Sequence, residues 1–293
     1  PLWLINLWIR EFGRDKTEDL CAWFNEQPKL TARINMILID IPQCLALLDE
    51  QGWDVTQDNN YKDIIYINSH RGSLEKSEAF IKGYITFMDK ASMLVARLVN
   101  PQPGERILDC CAAPGGKSMY MATLMDNVGS LMSCDIHEHK IELMNSNAER
   151  LGASIVHTKV QDATKLPDSW NAYFDRVLVD APCSGLGILQ KKLDMRWRKQ
   201  ESILSELPPL QSAILERAAM TVKEKGYLIY STCTLNHKEN EEVVEAFLQK
   251  HKEFSIIPVA EDFPLKSNSG MITTYPPTDD MDGFFMVKMQ RIS

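Results

Sequence analysis

Two cysteines and one aspartate stand where this sequence could carry out covalent chemistry. Asp180 and Cys183 lie in the segment DAPCSGLG, and Cys233 lies in STCT. Each segment follows an apolar run that is typical of a β-strand, so both thiols are predicted at strand ends. Neighbouring parallel strands end at the same edge of a sheet, and we therefore expect both thiols to rise on the same side.

The reaction that needs two thiols and an acid is methyl transfer to C5 of a pyrimidine. That carbon is too weakly nucleophilic to attack a sulfonium methyl group unaided. A thiolate that adds to C6 makes C5 an enamine carbon, and an acid near N3, for which Asp180 is the candidate, stabilises the charge on the ring. A second group must then help to remove the C5 proton. The residues alone do not decide which of Cys183 and Cys233 is the nucleophile.

Composition limits the class of protein. The chain has 293 residues, of which 44% are apolar and 25% charged, and its net charge of −8 argues against broad non-specific binding of nucleic acid. No apolar run is long enough to span a membrane. Seven cysteines without a C-x-x-C pair favour neither a disulfide framework nor a zinc site. We expect a cytoplasmic monomer without a metal ion.

The elements that position these residues begin at about residue 76, where apolar runs alternate with amphipathic stretches. This alternation predicts a parallel sheet with helices on its faces. The predicted strands are 106–110, 130–134, 154–158, 175–179, 226–231, 254–257 and 284–289. The predicted helices are 90–99, 117–125, 137–150, 210–223 and 238–250, the last one opened by a capping pair of Asn236 and Glu239. Residues 258–283 are expected to be irregular.

Residues 1–75 predict a separate, small α+β unit. The unit is predicted to open with a helix that has Leu4, Leu7 and Trp8 on one face. A strand at 29–35, a helix at 42–50 and a second strand at 64–67 are predicted to follow it. We therefore expect two domains, 1–75 and 76–293.

The segment RILDCCAAPGGKS at 106–118 reads as a strand, a glycine turn and a helix start, which is how a Rossmann-type sheet forms a nucleotide pocket. Asp135 lies where an acidic residue takes the ribose hydroxyls, and Asp162 is placed for the adenine edge. Cys111 stands where a P-loop requires glycine. Several carboxylates around the pocket would repel a triphosphate, so the cationic donor S-adenosylmethionine fits better.

The segments LDCCAAPGGKS, CDI, DAPCSGLG and YSTCTL resemble the motifs of the RsmB/Nop2/Sun family of RNA 5-methylcytosine methyltransferases, nearest to the bacterial 16S rRNA branch. The resemblance covers most of the chain, including Arg33-Ile34-Asn35 and Asp282-Gly283-Phe284-Phe285. It implies a Rossmann-like methyltransferase sheet, mostly parallel with seven strands, behind a small RNA-recognition-like subdomain. It also implies methylation of a cytosine in ribosomal RNA, with tRNA as an alternative substrate. That branch usually carries an N-terminal NusB-like domain, so either a segment is missing upstream or the chain belongs to another branch of the family.

The resemblance further implies a role for each motif residue. Cys233 would be the nucleophile, Cys183 would assist release, and Asp180 would contact both the target base and the donor. Asp135 would hold the ribose of the donor and Asp162 its adenine. Lys117 is predicted both to take part in catalysis and to bind the donor as part of the glycine turn. The residues that would wrap the methionine part are Cys111, Ala112, Ala113, Pro114, Gly115, Gly116 and Lys117.

A basic segment, Lys191–Lys199, follows the Cys183 motif and is predicted to contact RNA through phosphates and base stacking. Its candidate residues are Lys191, Lys192, Arg196, Trp197 and Arg198. Arg33 is the RNA-contact candidate in the 1–75 unit. The alternative for such a run of charges is a solvated helix face.

Two other functions compete with C5 methylation. An N-methyltransferase would prefer an Asn/Asp-Pro-Pro-aromatic turn where this chain has DAPC, and it would need no cysteine nucleophile. A ribosome-assembly factor that binds RNA and retains the fold without turnover is the second alternative. The presence of Lys117, Asp180, Cys183 and Cys233 argues against it.

Overall fold

The computed structural model describes residues 1–267 and 269–292. Two compact units make up the chain. The cysteine unit consists of Pro1–Pro28 and the described part of Ala163–Ser293, and the glycine-turn unit is Lys29–Asp162.

Helices and strands alternate along most of the described chain. The helices are α1 Leu2–Phe12, α2 Arg14–Asn25, α3 Ile41–Glu50, α4 Glu78–Ile81, α5 Lys90–Val99, α6 Gly116–Leu124, α7 Glu138–Arg150, α8 Met195–Arg198, α9 Ile203–Ala219, α10 Glu241–Lys250 and α11 Pro276–Asp279. The strands are β1 Leu30–Ile34, β2 Asp54–Gln57, β3 Ile64–Ser69, β4 Ile85–Phe87, β5 Arg106–Asp109, β6 Ser130–Asp135, β7 Val156–Val160, β8 Phe174–Asp180, β9 Val222–Thr232, β10 Phe254–Ile256, β11 Met271–Thr273 and β12 Phe285–Arg291. Short 3₁₀ turns lie at Leu74–Lys76, Ala163–Lys165, Asp168–Trp170 and His237–Glu239.

The glycine-turn unit contains an antiparallel sheet in the order β2-β3-β1-β4. On β1, Ala32 lies opposite both Ile65 of β3 and Phe87 of β4. Alternate apolar residues of these strands pack with α3 in a core that includes Leu48 and Trp53. The same unit holds the parallel strands β5, β6 and β7, with β6 paired to both of the others.

In the cysteine unit, β8 and β9 are parallel neighbours, and β12 pairs antiparallel with β9. Both β10 and β11 pair antiparallel with β12. The apolar faces of α1 and α2 meet at Trp8 and Phe24, whose rings stack with centroids 5.5 Å apart. They belong to one buried cluster with Leu186 and Leu235, which lie in the segments that follow β8 and β9. The first two helices therefore brace the segments that carry the two cysteines.

The fold class predicted from the sequence is confirmed: a mostly parallel Rossmann-like sheet with a small antiparallel sheet in the N-terminal part. Helices α2, α4, α8 and α11 and strands β2, β4 and β11 were not predicted, and both α11 and β11 lie in the segment 258–283 that was expected to be irregular. Helix α9 begins at Ile203, seven residues earlier than predicted, and contains Pro208 and Pro209.

The compact units do not divide at the predicted domain boundary between residues 75 and 76, which stays a prediction. Helices α1 and α2 belong to the cysteine unit, whereas β1 to β4 share the other unit with β5 to β7. Within the described ranges, no helix has both the length and the apolar character needed to cross a bilayer.

Candidate active site

The glycine turn connects the end of β5 to the start of α6. Gly115 has a φ of 100°, in the left-handed region that glycine adopts without strain, and its N–H donates to the carbonyl of Ala112 at 2.7 Å. The N–H of Ala112 in turn donates to the carbonyl of Cys134 on β6 at 2.7 Å. Because Gly115 is the N-cap and supplies no side chain, the first N–H groups of α6 face the turn without a side-chain cap from that residue.

A buried chain of hydroxyls lies beneath the turn. The Ser118 hydroxyl donates to the carboxylate of Asp109 at 2.7 Å, and the Ser133 hydroxyl donates to Ser118 at 2.8 Å. All three side chains are fully buried. Since they come from β5, α6 and β6, the bonds fix the start of α6 to both strands.

Two predicted donor-binding aspartates follow neighbouring strands of the same unit. Asp135 ends β6 and accepts a hydrogen bond from the N–H of His137 at 3.0 Å. On β7, Val160 lies opposite Asp135, so Asp162 follows two residues beyond that pair. The N–H of Gln161 donates to the carbonyl of Asp135 at 3.0 Å and holds the two strand ends together.

The structure brings the two predicted cysteines into contact in the cysteine unit. Their sulfur atoms are 3.3 Å apart, and the backbone N–H of Cys233 also donates to the Cys183 sulfur at 3.3 Å. The strands that precede them pair in parallel register, with Asp180 opposite Ser231. The Ser231 hydroxyl donates to the Asp180 carboxylate at 2.8 Å. The prediction that both thiols rise from adjacent parallel strands on the same side is therefore confirmed, and the structure adds that their sulfurs are in contact.

The environment of Cys183 opposes its ionisation. The hydrogen bond with Cys233 raises the pKa of the Cys183 thiol well above its usual value, and burial raises it further. The negative charges of Glu239 and Asp180 act in the same direction. These effects act together and favour the protonated form of Cys183.

Glu239 was predicted only as part of a helix cap, and the structure gives it a different environment. Its carboxylate is fully buried and accepts from the N–H and the hydroxyl of Ser184, the residue that follows Cys183. It also accepts from the side-chain amides of Gln211 at 2.9 Å and Asn236 at 2.8 Å. Asn236 does cap, but it caps the 3₁₀ turn at His237–Glu239.

The segment after Cys183 also makes a close backbone contact. The N–H of Gly187 donates to the carbonyl of Cys233 at 3.0 Å, and the N–H of Gly283 donates to the carbonyl of Gly187 at 2.8 Å. Nearby, the Lys191 ammonium lies 3.0 Å from the Asp282 carboxylate. These contacts give a physical reason for the Asp282-Gly283 motif: it closes over the segment that carries Cys183.

We expect Gly187→Ala to destabilise the protein because a Cβ at this position would overlap the carbonyl oxygen of Gly283 and lie 2.9 Å from that of Cys233. Overpacking of this kind costs about 1–3 kcal/mol. The measurement is the free energy of unfolding in denaturant. Gly104→Ala is the control, since its φ of 87° is unfavourable for alanine but its Cβ would meet nothing within 4 Å. Equal losses in the two variants would contradict the importance of the close contact.

The basic segment Lys191–Lys199 divides into bound and exposed side chains. Arg196 donates to the carbonyl of Phe24 and to the Asn25 side chain at the end of α2, so it fixes the segment to that helix. Trp197 is 78% exposed, and Lys192 and Arg198 are exposed as well. The RNA contacts of this segment stay a prediction. Its exposed side chains are the better candidates for those contacts.

The prediction that Arg33 contacts RNA is wrong, because its side chain is 0% exposed. The guanidinium lies over the ring of Tyr120 at 5.1 Å and donates to the Thr123 hydroxyl at 3.2 Å. Both partners belong to α6, the helix that begins at the glycine turn. Burial lowers the pKa of Arg33 to about 10. Its position thus serves packing in the glycine-turn unit.

Parallel strands that end in acidic turns, and a glycine turn that opens a helix, define a Rossmann-like methyltransferase fold. The family model described as "16S rRNA methyltransferase RsmB/F" matches residues 96–290. A second, described as a "Methyltr_RsmF/B-like, ferredoxin-like domain", matches residues 1–72. The chain belongs to the RsmB/F methyltransferase family, as its motifs indicated.

Curated relatives match over nearly the whole chain. The probable ribosomal RNA small subunit methyltransferase B of Bacillus subtilis is 37% identical, and the protein of the same name from Synechocystis is 36% identical. Each alignment covers 99% of this chain and 66% of the relative. The chain therefore spans slightly less than two thirds of the length of these relatives.

Solved structures share the fold. The chain in the crystal structure of PH0851 is 32% identical in sequence to this one. The two superpose with a TM-score of 0.93, and the match covers 99% of this chain and 65% of the PH0851 chain. The structure of NSun6 from Pyrococcus horikoshii with SFG has a TM-score of 0.90 and is 21% identical, covering 100% of this chain and 98% of the other. The second likeness concerns the fold alone.

Proposed function

We propose that this chain methylates C5 of a cytosine in RNA, with S-adenosylmethionine as donor, through a covalent adduct between a cysteine and C6. The observation that carries the proposal is the contact between Cys183 and Cys233, whose sulfurs are 3.3 Å apart. Addition and release require two such groups, one that attacks and one that assists. The names of the relatives from Bacillus subtilis and Synechocystis support ribosomal RNA as the substrate.

The glycine-turn unit fits S-adenosylmethionine. The backbone at Gly115 can approach a ligand without a Cβ, and the N–H groups that open α6 suit the carboxylate of the methionine part. Asp135 would hold the ribose, Asp162 the adenine, and Cys111–Lys117 the methionine part. The NSun6 structure of the same fold contains SFG, an analogue of this donor. When bound, S-adenosylmethionine supplies an electrophilic methyl group on a sulfonium sulfur.

In the addition step, the Cys233 thiolate forms a bond to C6, and the electron pair of the 5,6 double bond moves into the ring. Asp180 would act as an acid here, donating a hydrogen bond to N3 and so stabilising the negative charge that develops there. Cys233 then holds the base as an enamine while C5 takes up the methyl group. This division of one difficult step into easier ones is the purpose of a covalent nucleophile.

In the release step, the C6–S bond breaks and its electron pair returns to the Cys233 sulfur. Cys183 passes its thiol proton to that sulfur and takes up the C5 proton in exchange, while the 5,6 double bond is restored. The cysteine pair thus holds one proton before the addition and two after release. The additional proton is the one that left C5, and it passes to solvent before the next cycle.

We assign the RNA contacts to the exposed part of the basic segment. Lys192 and Arg198 would bind phosphates, and Trp197, at 78% exposed, would stack on a base. A target cytosine within a duplex would have to be flipped out to reach Cys233.

The proposal predicts that the protein transfers a labelled methyl group from S-adenosylmethionine to 16S rRNA that lacks modifications. The rRNA is digested to nucleosides, and the labelled product is identified by mass spectrometry as 5-methylcytidine. Cys233→Ala should lose the product, whereas Cys21→Ala on α2 should retain it, since Cys21 lies outside the cysteine pair. A parallel reaction with tRNA compares the two substrate classes.

Label on an exocyclic nitrogen would overturn the C5 assignment in favour of an N-methyltransferase. Tight binding of rRNA without any methyl transfer would favour an assembly factor. Label in tRNA but not in rRNA would overturn the substrate while leaving the chemistry intact.

A further inference from the structure

Glu239 connects the two segments that carry the cysteines. Its side chain binds Ser184 next to Cys183, and its own carbonyl accepts from the Tyr230 hydroxyl on β9 at 2.6 Å. The Ser184 hydroxyl also contacts the Thr234 hydroxyl at 2.7 Å, next to Cys233. A single buried residue therefore joins both sides of the sulfur pair.

The four donors that surround the Glu239 carboxylate are all neutral. They are the N–H and hydroxyl of Ser184 and the side-chain amides of Gln211 and Asn236. Hydrogen bonds from neutral groups stabilise a buried carboxylate without cancelling its charge. The negative charge therefore remains effective on groups that lie nearby.

The titratable groups that act on Cys183 come from three elements. Cys233 follows β9, Glu239 ends the 3₁₀ turn, and Asp180 ends β8. Each of them opposes a negative charge on Cys183, since the two carboxylates repel it and Cys233 competes for it. The chain separation of 55 residues between Ser184 and Glu239 means that only the fold brings this carboxylate to the pair.

We propose that Glu239 is a positioning residue that keeps the shared proton on Cys183 and so leaves Cys233 as the thiolate. Its hydrogen bonds to Ser184 set the Cys183 sulfur against Cys233, and its charge disfavours a second negative charge on Cys183. This inference rests on the proposed function for its purpose, because it assigns the nucleophile and the proton donor. Its test requires neither RNA nor the methyl donor.

The test is the pH dependence of alkylation by iodoacetamide, measured separately for the two thiols. Trypsin cleaves after Arg176, Lys191, Lys225 and Lys238, so Cys183 and Cys233 appear in different peptides for mass spectrometry. In the unaltered protein we expect Cys183 to react only well above the pH at which an ordinary thiol reacts. In Glu239→Gln, the midpoint for Cys183 should fall by on the order of one pH unit, because a nearby charge shifts a thiol by about that amount.

Two matched variants separate charge from shape. Glu245→Gln removes a carboxylate from an exposed position of α10 and should leave both midpoints unchanged. Glu239→Asp keeps the charge and should keep the Cys183 midpoint well above that of Glu239→Gln. A purely structural role would change the limiting rate at high pH, through exposure of the thiols, without moving the midpoint.

An unchanged Cys183 midpoint in Glu239→Gln would overturn the proposal, as would identical behaviour of Glu239→Asp and Glu239→Gln. If Glu239→Gln fails to fold, Ser184→Ala serves in its place, because it removes the hydroxyl donor while the Glu239 carboxylate stays next to the cysteine pair. The Cys183 midpoint should then stay or rise, and a fall would overturn the proposal. Failure of methyl transfer in the unaltered protein affects the proposed function and leaves these midpoints measurable.

Discussion

Cys233→Ala should abolish the covalent adduct that forms with RNA containing 5-fluorocytidine, whereas Cys183→Ala should retain it. Fluorine at C5 cannot leave as a proton does, so the enzyme stays bound to C6 after the methyl group has been transferred. Without the Cys233 sulfur no bond to C6 can form, and turnover on normal RNA should fall by on the order of 10³-fold or more. Loss of Cys183 impairs release only. The adduct is measured by its reduced mobility on a denaturing gel.

Because the two sulfurs are 3.3 Å apart, the position of the pair does not decide which thiol attacks C6. The adduct experiment does decide it. Adduct loss only in Cys183→Ala would reverse the two roles. The absence of any adduct with donor, RNA and unaltered protein would contradict the covalent mechanism. Cys21→Ala controls for general effects of cysteine removal and should form the adduct normally.

The position of the cysteine pair could be predicted from the sequence because it depends on local sequence patterns. Apolar runs followed by DAPC and STCT predict two strand ends, and parallel strands end at one edge. The structure confirms β8 and β9 as parallel neighbours, with Asp180 opposite Ser231. The glycine turn was accessible for the same reason, since Gly115 is required where the backbone is left-handed.

Features that depend on contacts between distant segments could not be predicted from the sequence. Glu239 follows Asn236 by three residues, which is the spacing of a helix cap, and nothing local indicates that Ser184 and Gln211 would bury its carboxylate. Arg33 stands in a strand that is buried on both faces, against Tyr120 of a helix far along the chain. In both cases tertiary contacts decide the role of a charged residue that the sequence places on a surface.

An ion pair in the glycine-turn unit with a buried carboxylate and a partly buried guanidinium leads to the prediction with the largest expected effect on stability. Asp63 is 3% exposed, and its carboxylate accepts from the Arg97 guanidinium at 2.6 Å and from the Tyr120 hydroxyl at 2.6 Å. Arg97 also donates to that hydroxyl at 2.7 Å. Arg33 lies over the same Tyr120 ring, so one carboxylate serves a site that contains two guanidinium groups.

Asp63→Ala should therefore destabilise the protein by about 3 kcal/mol, because it leaves the Arg97 guanidinium, which is only 21% exposed, without its carboxylate partner. The measurement is the free energy of unfolding in urea. Asp54→Ala is the control, since Asp54 is exposed on β2 of the same sheet, and it should change stability by no more than about 0.5 kcal/mol.

The double variant Asp63→Ala with Arg97→Met tests the cause. If the loss comes from the uncompensated guanidinium, removing that group as well should recover part of it, and the two changes should be less than additive. A cost of Asp63→Ala no larger than that of Asp54→Ala would contradict the prediction. Tyr120 belongs to α6, which begins at the glycine turn, so the same network that stabilises this unit also holds the helix whose first turn is proposed to bind the methyl donor.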